Sequence, residues 1–218
     1  MMNSNERVFT PQQALERLLE GNWRFVHGRV EHPNQDAERR NDLVSGQFPY
    51  ATLFGCADSR IAAEVIFDQG LGDMFVVRTA GHVMESAITG SLEYAIAHLH
   101  TPLVVVLGHD SCGAVSVTQK ALKTGVFPGG FIRYLVERII PSAISAHLSS
   151  TPSVNEVVRE HTVQVSERIL EQSRLIAKAV DEGRTAVVGM FYHLADGKVE
   201  LVYCSQNIDK NAAMRFLA

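Results

Sequence analysis

Cysteine is scarce in this sequence, which has only 3 cysteines among 218 residues. Small secreted domains that depend on disulfides carry many more, and an odd number leaves one thiol unpaired. A disulfide scaffold is therefore excluded. A reducing compartment, in which thiols stay free or bind a metal, is favoured, and we expect the protein to reside in the cytoplasm.

Long apolar runs are also absent. The longest, Leu103–Leu107, is far shorter than the ~20 residues that a helix needs to cross a bilayer. The polar start of the chain, Met1–Arg7, lacks the apolar segment of a secretory signal peptide. The sequence thus predicts neither a membrane protein nor a secreted one.

An excess of charge of one sign is missing as well. The 20 Lys and Arg residues nearly balance 24 Asp and Glu residues, the net charge is −4, and the basic residues form no long run. Proteins that track phosphates or lie on anionic membranes use clustered basic side chains. Nucleic acid and membranes are therefore not expected as partners, which leaves small molecules.

What the sequence does have is enough apolar residues for one large core. With 46% hydrophobic residues, the chain is not disordered, and a chain of this length buries roughly 70–75% of its unfolded surface. We expect a single domain over 1–218, with an N-terminal helical arm (1–49), an α/β core (50–204) and a C-terminal helix (205–218).

Short β-rich runs alternate with helical patterns, an order that predicts an α/β fold with a mixed, mostly parallel sheet of about five strands flanked by helices. The first four runs lack period-two alternation, as expected of strands covered on both faces. The Asp196-Gly197 pair between the last two runs favours a hairpin, so the fifth strand should lie antiparallel at an edge. The runs are Tyr50–Gly55, Met74–Arg78, Leu103–Gly108, Thr185–Tyr192 and Lys198–Cys204.

Three helices are predicted from apolar residues at helical spacing. The segment Pro11–Val26 has Thr10 as its N-cap and proline at its first position. The other two are Val83–His98 and Val154–Glu182, and the latter opens with a capping-box sequence. Because the first helix precedes every strand, it either forms an arm on a neighbouring subunit or packs on its own sheet.

Two short motifs follow the first and third predicted strands, and both contain residue types that bind metals. Cys56 lies in Gly-Cys-Ala-Asp-Ser-Arg, and His109 and Cys112 lie in Gly-His-Asp-Ser-Cys-Gly. Because the carboxyl ends of parallel strands meet at one edge of a sheet, the three side chains can converge on one point. Two thiolates and an imidazole suit Zn²⁺, and three protein ligands leave one tetrahedral position open for water, as in catalytic zinc sites.

Each motif taken alone has a plainer interpretation. A cysteine at a strand end is most often a small buried apolar residue, and Asp58 and Arg60 can be an ordinary surface ion pair. The turn from His109 to Cys112 equally suits a helix cap. A cysteine nucleophile with a histidine base is a further alternative, although it leaves the second cysteine without a role. The combination of both motifs is what favours a metal site.

The two motifs make the sequence resemble the β-class carbonic anhydrases over nearly its whole length. Members of this family share a Cys-x-Asp-x-Arg motif, here Cys56 to Arg60, and a His-x-x-Cys motif, here His109 to Cys112. The pattern is similar to that of a bacterial cytoplasmic member. Further similar stretches are 20–25, 75–81, 90–95 and 189–192.

The resemblance implies reversible hydration of CO₂ to bicarbonate and a proton, with Zn²⁺ held by Cys56, His109 and Cys112 and no organic cofactor. It implies that Arg60 holds Asp58 by a salt bridge, so that this carboxylate orients the zinc-bound hydroxide that attacks CO₂. It also implies a homodimer or homotetramer. In some members the aspartate becomes a fourth zinc ligand at lower pH, which we take as a hypothesis for Asp58.

Bicarbonate-regulated members of the family carry a Trp-Arg-Tyr anion site, at positions that correspond to Leu53, Arg78 and Tyr192. Because Leu53 replaces the tryptophan, this regulatory site is not expected here. Arg78 and Tyr192 are then assigned to packing or to a subunit interface.

Two other functions use the same residues. The zinc centre could hydrolyse another heterocumulene, such as carbon disulfide or carbonyl sulfide. Alternatively, Asp58 could fill the fourth zinc position permanently and make a structural or redox-regulatory site. The presence of Arg60 argues against this second function, because a permanent ligand needs no arginine to hold it away from the metal.

Overall fold

A five-stranded mixed sheet forms the centre of the fold. The computed structural model describes residues 9–147 and 152–215. The strands are β1 (Ala51–Cys56), β2 (Met74–Thr79), β3 (Leu103–His109), β4 (Ala186–Tyr192) and β5 (Val199–Cys204). Their order is β2-β1-β3-β4-β5, in which the first four run parallel and β5 pairs antiparallel with β4. The predicted fold class is confirmed.

Burial on both faces explains why the central strands lack an alternating pattern. Every residue of β1, β3 and β4 is buried, as expected of parallel strands covered by helices. The edge strand β5 begins with an alternation, because Val199 and Leu201 are buried and Glu200 is exposed. Gly197, in the turn before β5, has a positive φ of 76°, which supports the predicted hairpin.

Helices cover both faces of the sheet. One face packs against α1, α3 and α9, and the other against α4, α7 and α8, while α5, α6 and α7 surround the carboxyl ends of β1 and β3. The helices are α1 (Pro11–Val26), α2 (Ala37–Asp42), α3 (Ala63–Ile66), α4 (Ser86–Ala97), α5 (Gly113–Thr124), α6 (Gly130–His147), α7 (Val154–Gln172), α8 (Arg174–Asp181) and α9 (Lys210–Met214).

Helix α1 has the predicted bounds and packs on its own sheet. Leu18 and Leu19 on its apolar face are buried. The side-chain amide of Asn22 donates to the carbonyl oxygens of Ile66 and Gly197, at 3.2 and 2.8 Å. Of the two predicted alternatives, own-sheet packing is therefore the one observed. An arm on a neighbouring subunit stays a prediction, and it would have to use the opposite face of the helix.

The prediction of one continuous helix over Val154–Glu182 is wrong. The chain breaks at Ser173, whose extended backbone (φ −105°, ψ 100°) separates α7 from α8. The Ser173 hydroxyl accepts from the amide of Ile176 at 3.1 Å and donates to Glu93 at 2.6 Å. Serine is a preferred N-cap, and its local hydrogen bonds compete with a continuing helix even where the apolar spacing is unbroken.

Helix α6 is a finding of the structure that the sequence did not predict. Pro141 lies inside this helix, where proline removes a backbone donor and weakens the helical signal.

The C-terminal helix predicted over 205–218 is observed as the shorter α9, and residues 216–218, like 1–8, lie outside the described residues. None of the described helices combines the length and the apolar character that spanning a bilayer requires.

Candidate metal centre

Three side chains that can bind a metal meet at the carboxyl edge of the sheet. Cys56 is the last residue of β1, His109 is the last residue of β3, and Cys112 is the N-cap of α5. Because β1 and β3 are parallel neighbours, their ends lie side by side. The two sulfurs and one ring nitrogen of the histidine all lie within 4.8 Å of one another, and all three residues are buried. The structure thus brings together the three residues that the motifs singled out.

The imidazole of His109 is oriented so that its Nε2 atom is free to coordinate. Its Nδ1 atom lies 2.8 Å from the carbonyl oxygen of Asp110, and because a carbonyl only accepts, Nδ1 carries the proton. Nε2 is buried and has no hydrogen-bond partner among the described residues. A buried polar atom without a partner costs about 1–3 kcal/mol. A metal ion at the two thiols would satisfy it, and the Asp110 carbonyl is the kind of partner that orients metal-binding histidines.

The two thiols cannot both ionise without a counter-charge. The contact with Cys112 lowers the pKa of Cys56 against the opposing effect of burial, and the amide of Gly81, 3.3 Å from Sγ, also favours the thiolate. The same contact, together with burial, raises the pKa of Cys112 above its ordinary value. A cation between the two sulfurs would allow both to be thiolates. A Cys₂His donor set of this kind fits zinc with one open position.

A carboxylate and a guanidinium border this cluster. Nε and Nη2 of Arg60 donate to Oδ1 and Oδ2 of Asp58 at 2.9 and 2.8 Å, a two-point ion pair. Oδ2 of Asp58 lies 4.0 Å from Nε2 of His109. The hydrogen bonds from Arg60 hold the pKa of Asp58 well below its usual range, so this carboxylate is ionised. The side chains of Asp58 and Arg60 are 17% and 51% exposed, so the pair lies between the cluster and solvent.

Comparison with known sequences agrees with this geometry. The family model described as Carbonic anhydrase matches residues 51–199. A carbonic anhydrase of Mycolicibacterium smegmatis is 50% identical over 201 residues, which cover 92% of this chain and 95% of that protein. Carbonic anhydrase 2 of Mycobacterium tuberculosis is 49% identical over 191 residues, which cover 88% of this chain and 92% of that protein. The chain belongs to the β-class carbonic anhydrases.

Solved structures share the fold of this β-class carbonic anhydrase. The β-carbonic anhydrase CafA of Aspergillus fumigatus has a TM-score of 0.65 at 26% identity and covers 82% of this chain and 85% of its own. One of the tetrameric β-carbonic anhydrases of Sordaria macrospora has a TM-score of 0.66 at 24% identity, over 76% of this chain and 86% of its own. The resemblance stated from the two motifs is thus confirmed.

Arg78 supports the carbonic anhydrase site in a way that the motifs did not reveal. It lies on β2, in register with Gly55 of β1. Its Nε and Nη2 donate to the carbonyl oxygens of Cys56 and Asp58 at 2.9 and 2.7 Å. The backbone of the Cys-x-Asp motif is therefore held from the neighbouring strand. A basic residue near the carboxyl end of that strand was the available signal, and the sequence assigned it only to packing or to an interface.

Two contacts from other elements hold the His-x-x-Cys turn. Oδ2 of Asp110 accepts from the amide of Leu194, just after β4, at 3.0 Å. The amide of Ser111 donates to Oδ1 of Asn155, in the first turn of α7, also at 3.0 Å. Ser111 has a positive φ of 53°, a conformation that residues with a side chain seldom adopt. Asn155, which the sequence did not single out, thus stabilises the turn that leads to Cys112.

The third cysteine lies away from the cluster. Cys204 pairs in register with Val188, near the amino end of β4, whereas His109 pairs with Tyr192 at the carboxyl end of the same strand. Burial raises the pKa of the Cys204 thiol. Its side chain is only partly buried, and it belongs to no group of candidate metal ligands among the described residues.

Proposed function

We propose that this enzyme catalyses the reversible hydration of CO₂ to bicarbonate and a proton, with Zn²⁺ held by Cys56, His109 and Cys112. The observation that carries the proposal is the buried Nε2 of His109, which has no hydrogen-bond partner among the described residues and belongs to a cluster with two sulfurs within 4.8 Å. Three protein ligands leave one position open, which supports a catalytic rather than a structural centre.

The ligand charges affect the pH at which the enzyme works. When bound, Zn²⁺ supplies a water molecule of lowered pKa as the nucleophile. The thiolates of Cys56 and Cys112 cancel its formal double charge, whereas a site of three neutral histidines leaves that charge uncompensated. We therefore expect this enzyme to need a more alkaline pH than a three-histidine carbonic anhydrase.

Asp58 is the residue that we assign to orienting the nucleophile. Because Arg60 keeps the carboxylate ionised, Asp58 can accept a hydrogen bond from the attacking oxygen and direct a lone pair of that oxygen towards CO₂. Both carboxylate oxygens accept hydrogen bonds from Arg60, and this ion pair competes with coordination of Asp58 to the metal. This pairing favours the catalytic function over a structural zinc site in which Asp58 is a permanent ligand. The proton released by hydration leaves to solvent.

The experiment measures bound zinc and the CO₂ hydration rate over a range of pH for the parent protein and for Asp58→Asn. We expect equimolar zinc in both proteins and a rate roughly 10–100-fold lower in Asp58→Asn, because asparagine keeps the shape of the side chain and loses its charge. Asp181→Asn, the same change at an exposed aspartate of α8, is the matched control and should leave both values unchanged.

Three outcomes would contradict the proposal. Equimolar zinc without hydration at any pH would support a structural site. Absence of zinc would support a cysteine nucleophile. A zinc-loaded protein that hydrolyses carbonyl sulfide or carbon disulfide, and does not hydrate CO₂, would identify a different heterocumulene as the substrate.

We also propose that the enzyme assembles with copies of itself through the turn between α5 and α6. Val126 in this turn and Phe131 and Ile132 at the start of α6 are 73%, 93% and 56% exposed. Large apolar side chains clustered along the chain in this way are typical of protein–protein interaction sites. The solved relatives from Sordaria macrospora are tetrameric.

Light scattering tests this assembly. We expect the parent protein to have a mass of at least twice the 24.0 kDa of one chain. The Phe131→Glu variant should have a lower mass than the parent. Leu175→Glu, at an exposed leucine of α8, is the matched control and should keep the parent mass. A monomeric parent protein would contradict the proposal.

We place the enzyme in the cytoplasm. None of the 3 cysteines forms a disulfide, as expected in a reducing compartment. Cell fractionation with an antibody against the protein tests this location, and recovery from an oxidising compartment would contradict it.

A further inference from the structure

A short 3-10 turn, Ala80–His82, lies behind the ligand cluster and contacts one of its sulfurs. The amide of Gly81 donates to Sγ of Cys56 at 3.3 Å. Gly81 has a φ of 67°, and a Cβ at this position would lie 2.8 Å from the Cβ of Ala114. Glycine is therefore required for the backbone to come this close to the sulfur. The direction of the hydrogen bond from the Gly81 amide to the Cys56 sulfur then depends on what holds the backbone of Gly81 in place.

His161, on α7, holds this turn from the other side. Its Nε2 atom lies 3.2 Å from the carbonyl oxygen of Gly81. Because the carbonyl only accepts, Nε2 is the donor. Nδ1 lies 2.8 Å from the hydroxyl of Ser142, whose single proton is shared between Nδ1 and Oε1 of Gln164, 2.9 Å from the same hydroxyl. Burial lowers the pKa of His161 to about 4, so the ring is neutral near neutral pH. The imidazole is thus fixed at both nitrogens and keeps a single tautomer.

The neighbouring histidine of the turn does not offer the same connection. His82 is completely buried, and its ring centre lies 4.6 Å from that of His161. Its Nε2 atom contacts Oγ1 of Thr162 at 3.4 Å, and its Nδ1 atom has no hydrogen-bond partner within the part of the chain that the structure describes. The side chain of His82 therefore makes no hydrogen bond to the backbone of Gly81 among the described contacts.

We propose that His161 is a positioning residue for the Cys56 thiolate, acting through the backbone of Gly81. The amide and the carbonyl of Gly81 belong to the two peptide groups on either side of its Cα. By holding the carbonyl, His161 restrains the backbone of Gly81, keeps its amide directed at the sulfur, and so adjusts how strongly Cys56 donates electrons to the metal. The proposal rests on the zinc site proposed above. Partners behind the ligands of a metal typically change its affinity or the activity by about 10–100-fold when they are removed.

Three variants isolate this role. His161→Leu removes the donor to Gly81 and retains an apolar side chain in the buried position. His161→Gln is the conservative variant, because its amide can still donate to the same carbonyl. Ser166→Ala is the matched control, since Ser166 is buried one turn further along α7 and its hydroxyl donates to the carbonyl of Thr162 at 2.8 Å instead of contacting the turn.

The measurements are zinc affinity, by competition with a chelator, and the thiolate-to-cobalt absorption band of the Co²⁺-substituted protein. We expect His161→Leu to weaken zinc binding by about 10–100-fold and to shift the band. His161→Gln should recover both values, and Ser166→Ala should leave both unchanged. A His161→Leu protein with the parent affinity and the parent band would overturn the proposal. So would a His161→Gln protein as impaired as His161→Leu, or a Ser166→Ala protein with the same defect.

A milder variant keeps the test decisive if His161→Leu does not fold. Ser142→Ala removes the hydroxyl that contacts Nδ1 of His161 and Oε1 of Gln164. It should shift the cobalt band in the same direction by a smaller amount, and an unchanged band would overturn the proposal. A parent protein that binds neither zinc nor cobalt would refute the proposed function itself. A metal-loaded parent with unaffected variants would refute only the role of His161.

Discussion

Two histidines, His109 and His161, are equally buried and differ in what their ring nitrogens face. Their exposures are 0% and 1%. Both nitrogens of His161 have partners, the carbonyl of Gly81 and the hydroxyl of Ser142. Among the residues that the structure describes, only Nδ1 of His109 has a hydrogen-bond partner, and its Nε2 atom belongs to the cluster with the two thiols. Burial of a histidine therefore does not indicate a metal ligand, whereas an unpartnered nitrogen beside thiols does.

The difference between the ring nitrogens of His109 and His161 also predicts which histidine affects metal binding and which affects the stability of the fold. A buried polar group with all its partners contributes to stability, and one left without a partner costs about 1–3 kcal/mol. We therefore expect one substitution, histidine to leucine, to have opposite consequences at the two positions.

The largest effect is expected from His109→Leu. Loss of one of three ligands should lower zinc affinity and the CO₂ hydration rate by more than about 100-fold, beyond the range of changes made around the ligands. The zinc-free protein should keep most of its stability, because the substitution removes a buried nitrogen that has no partner among the described residues. Metal analysis, a hydration assay and urea unfolding measure the three quantities. Parent-level zinc binding in this variant would contradict the ligand assignment.

The next effect is the loss of folding stability at acidic pH. Burial lowers the pKa of His161 to about 4 and that of His82 well below its ordinary value, whereas both titrate near 6.5 in the unfolded chain. The folded pKa is lower than the unfolded pKa, so the contribution of these neutral histidines to the stability of the protein is complete above about pH 6.5. This contribution falls as the pH decreases towards the folded pKa, because the unfolded state takes up the proton first. For His161 the loss is on the order of 3 kcal/mol.

Urea unfolding of the zinc-free protein on either side of this pH range measures that loss. His161→Leu should weaken the pH dependence, and His109→Leu should preserve the contribution of His161. Parent-like pH dependence in His161→Leu would show that another group is responsible.

A smaller effect is expected for the stability of His161→Leu at neutral pH. The carbonyl of Gly81 loses its contact with His161, and the hydroxyl of Ser142 keeps only Oε1 of Gln164, so the free energy of unfolding should fall by about 1–3 kcal/mol. The zinc-free parent and Ser166→Ala, compared by urea unfolding, are the references. A His161→Leu protein as stable as the parent would mean that both groups find other partners.

The smallest effect is expected from Arg78→Lys. A lysine ammonium cannot reproduce the fork geometry with which Arg78 reaches the carbonyl oxygens of Cys56 and Asp58. The hydration rate should fall roughly tenfold while zinc stays equimolar. Arg184→Lys, at an exposed arginine that pairs with Glu182, is the control and should keep the parent rate. A parent rate in Arg78→Lys would limit this residue to a packing role.

The strands and the convergence of the three candidate ligands were predictable because both depend on patterns that are local in sequence. A buried parallel strand appears as an apolar run, and a motif placed at its carboxyl end must lie at one edge of the sheet. The break at Ser173 was missed because the apolar spacing continues across it and only the hydrogen bonds of the cap reveal it. The role of Arg78 was missed because its partners lie on the neighbouring strand.

By itself, the sequence determined the α/β class, the two motifs and the division of the 3 cysteines into two candidate ligands and one separate thiol. Only the tertiary structure decided which histidine presents an unpartnered nitrogen to the two thiols, which arginine holds the Cys-x-Asp backbone and which helix supports Cys56 from behind. The physical reason is distance along the chain: His161 and Gly81 are 80 residues apart. A hydrogen bond between them depends on how α7 packs against the sheet, which no local pattern encodes.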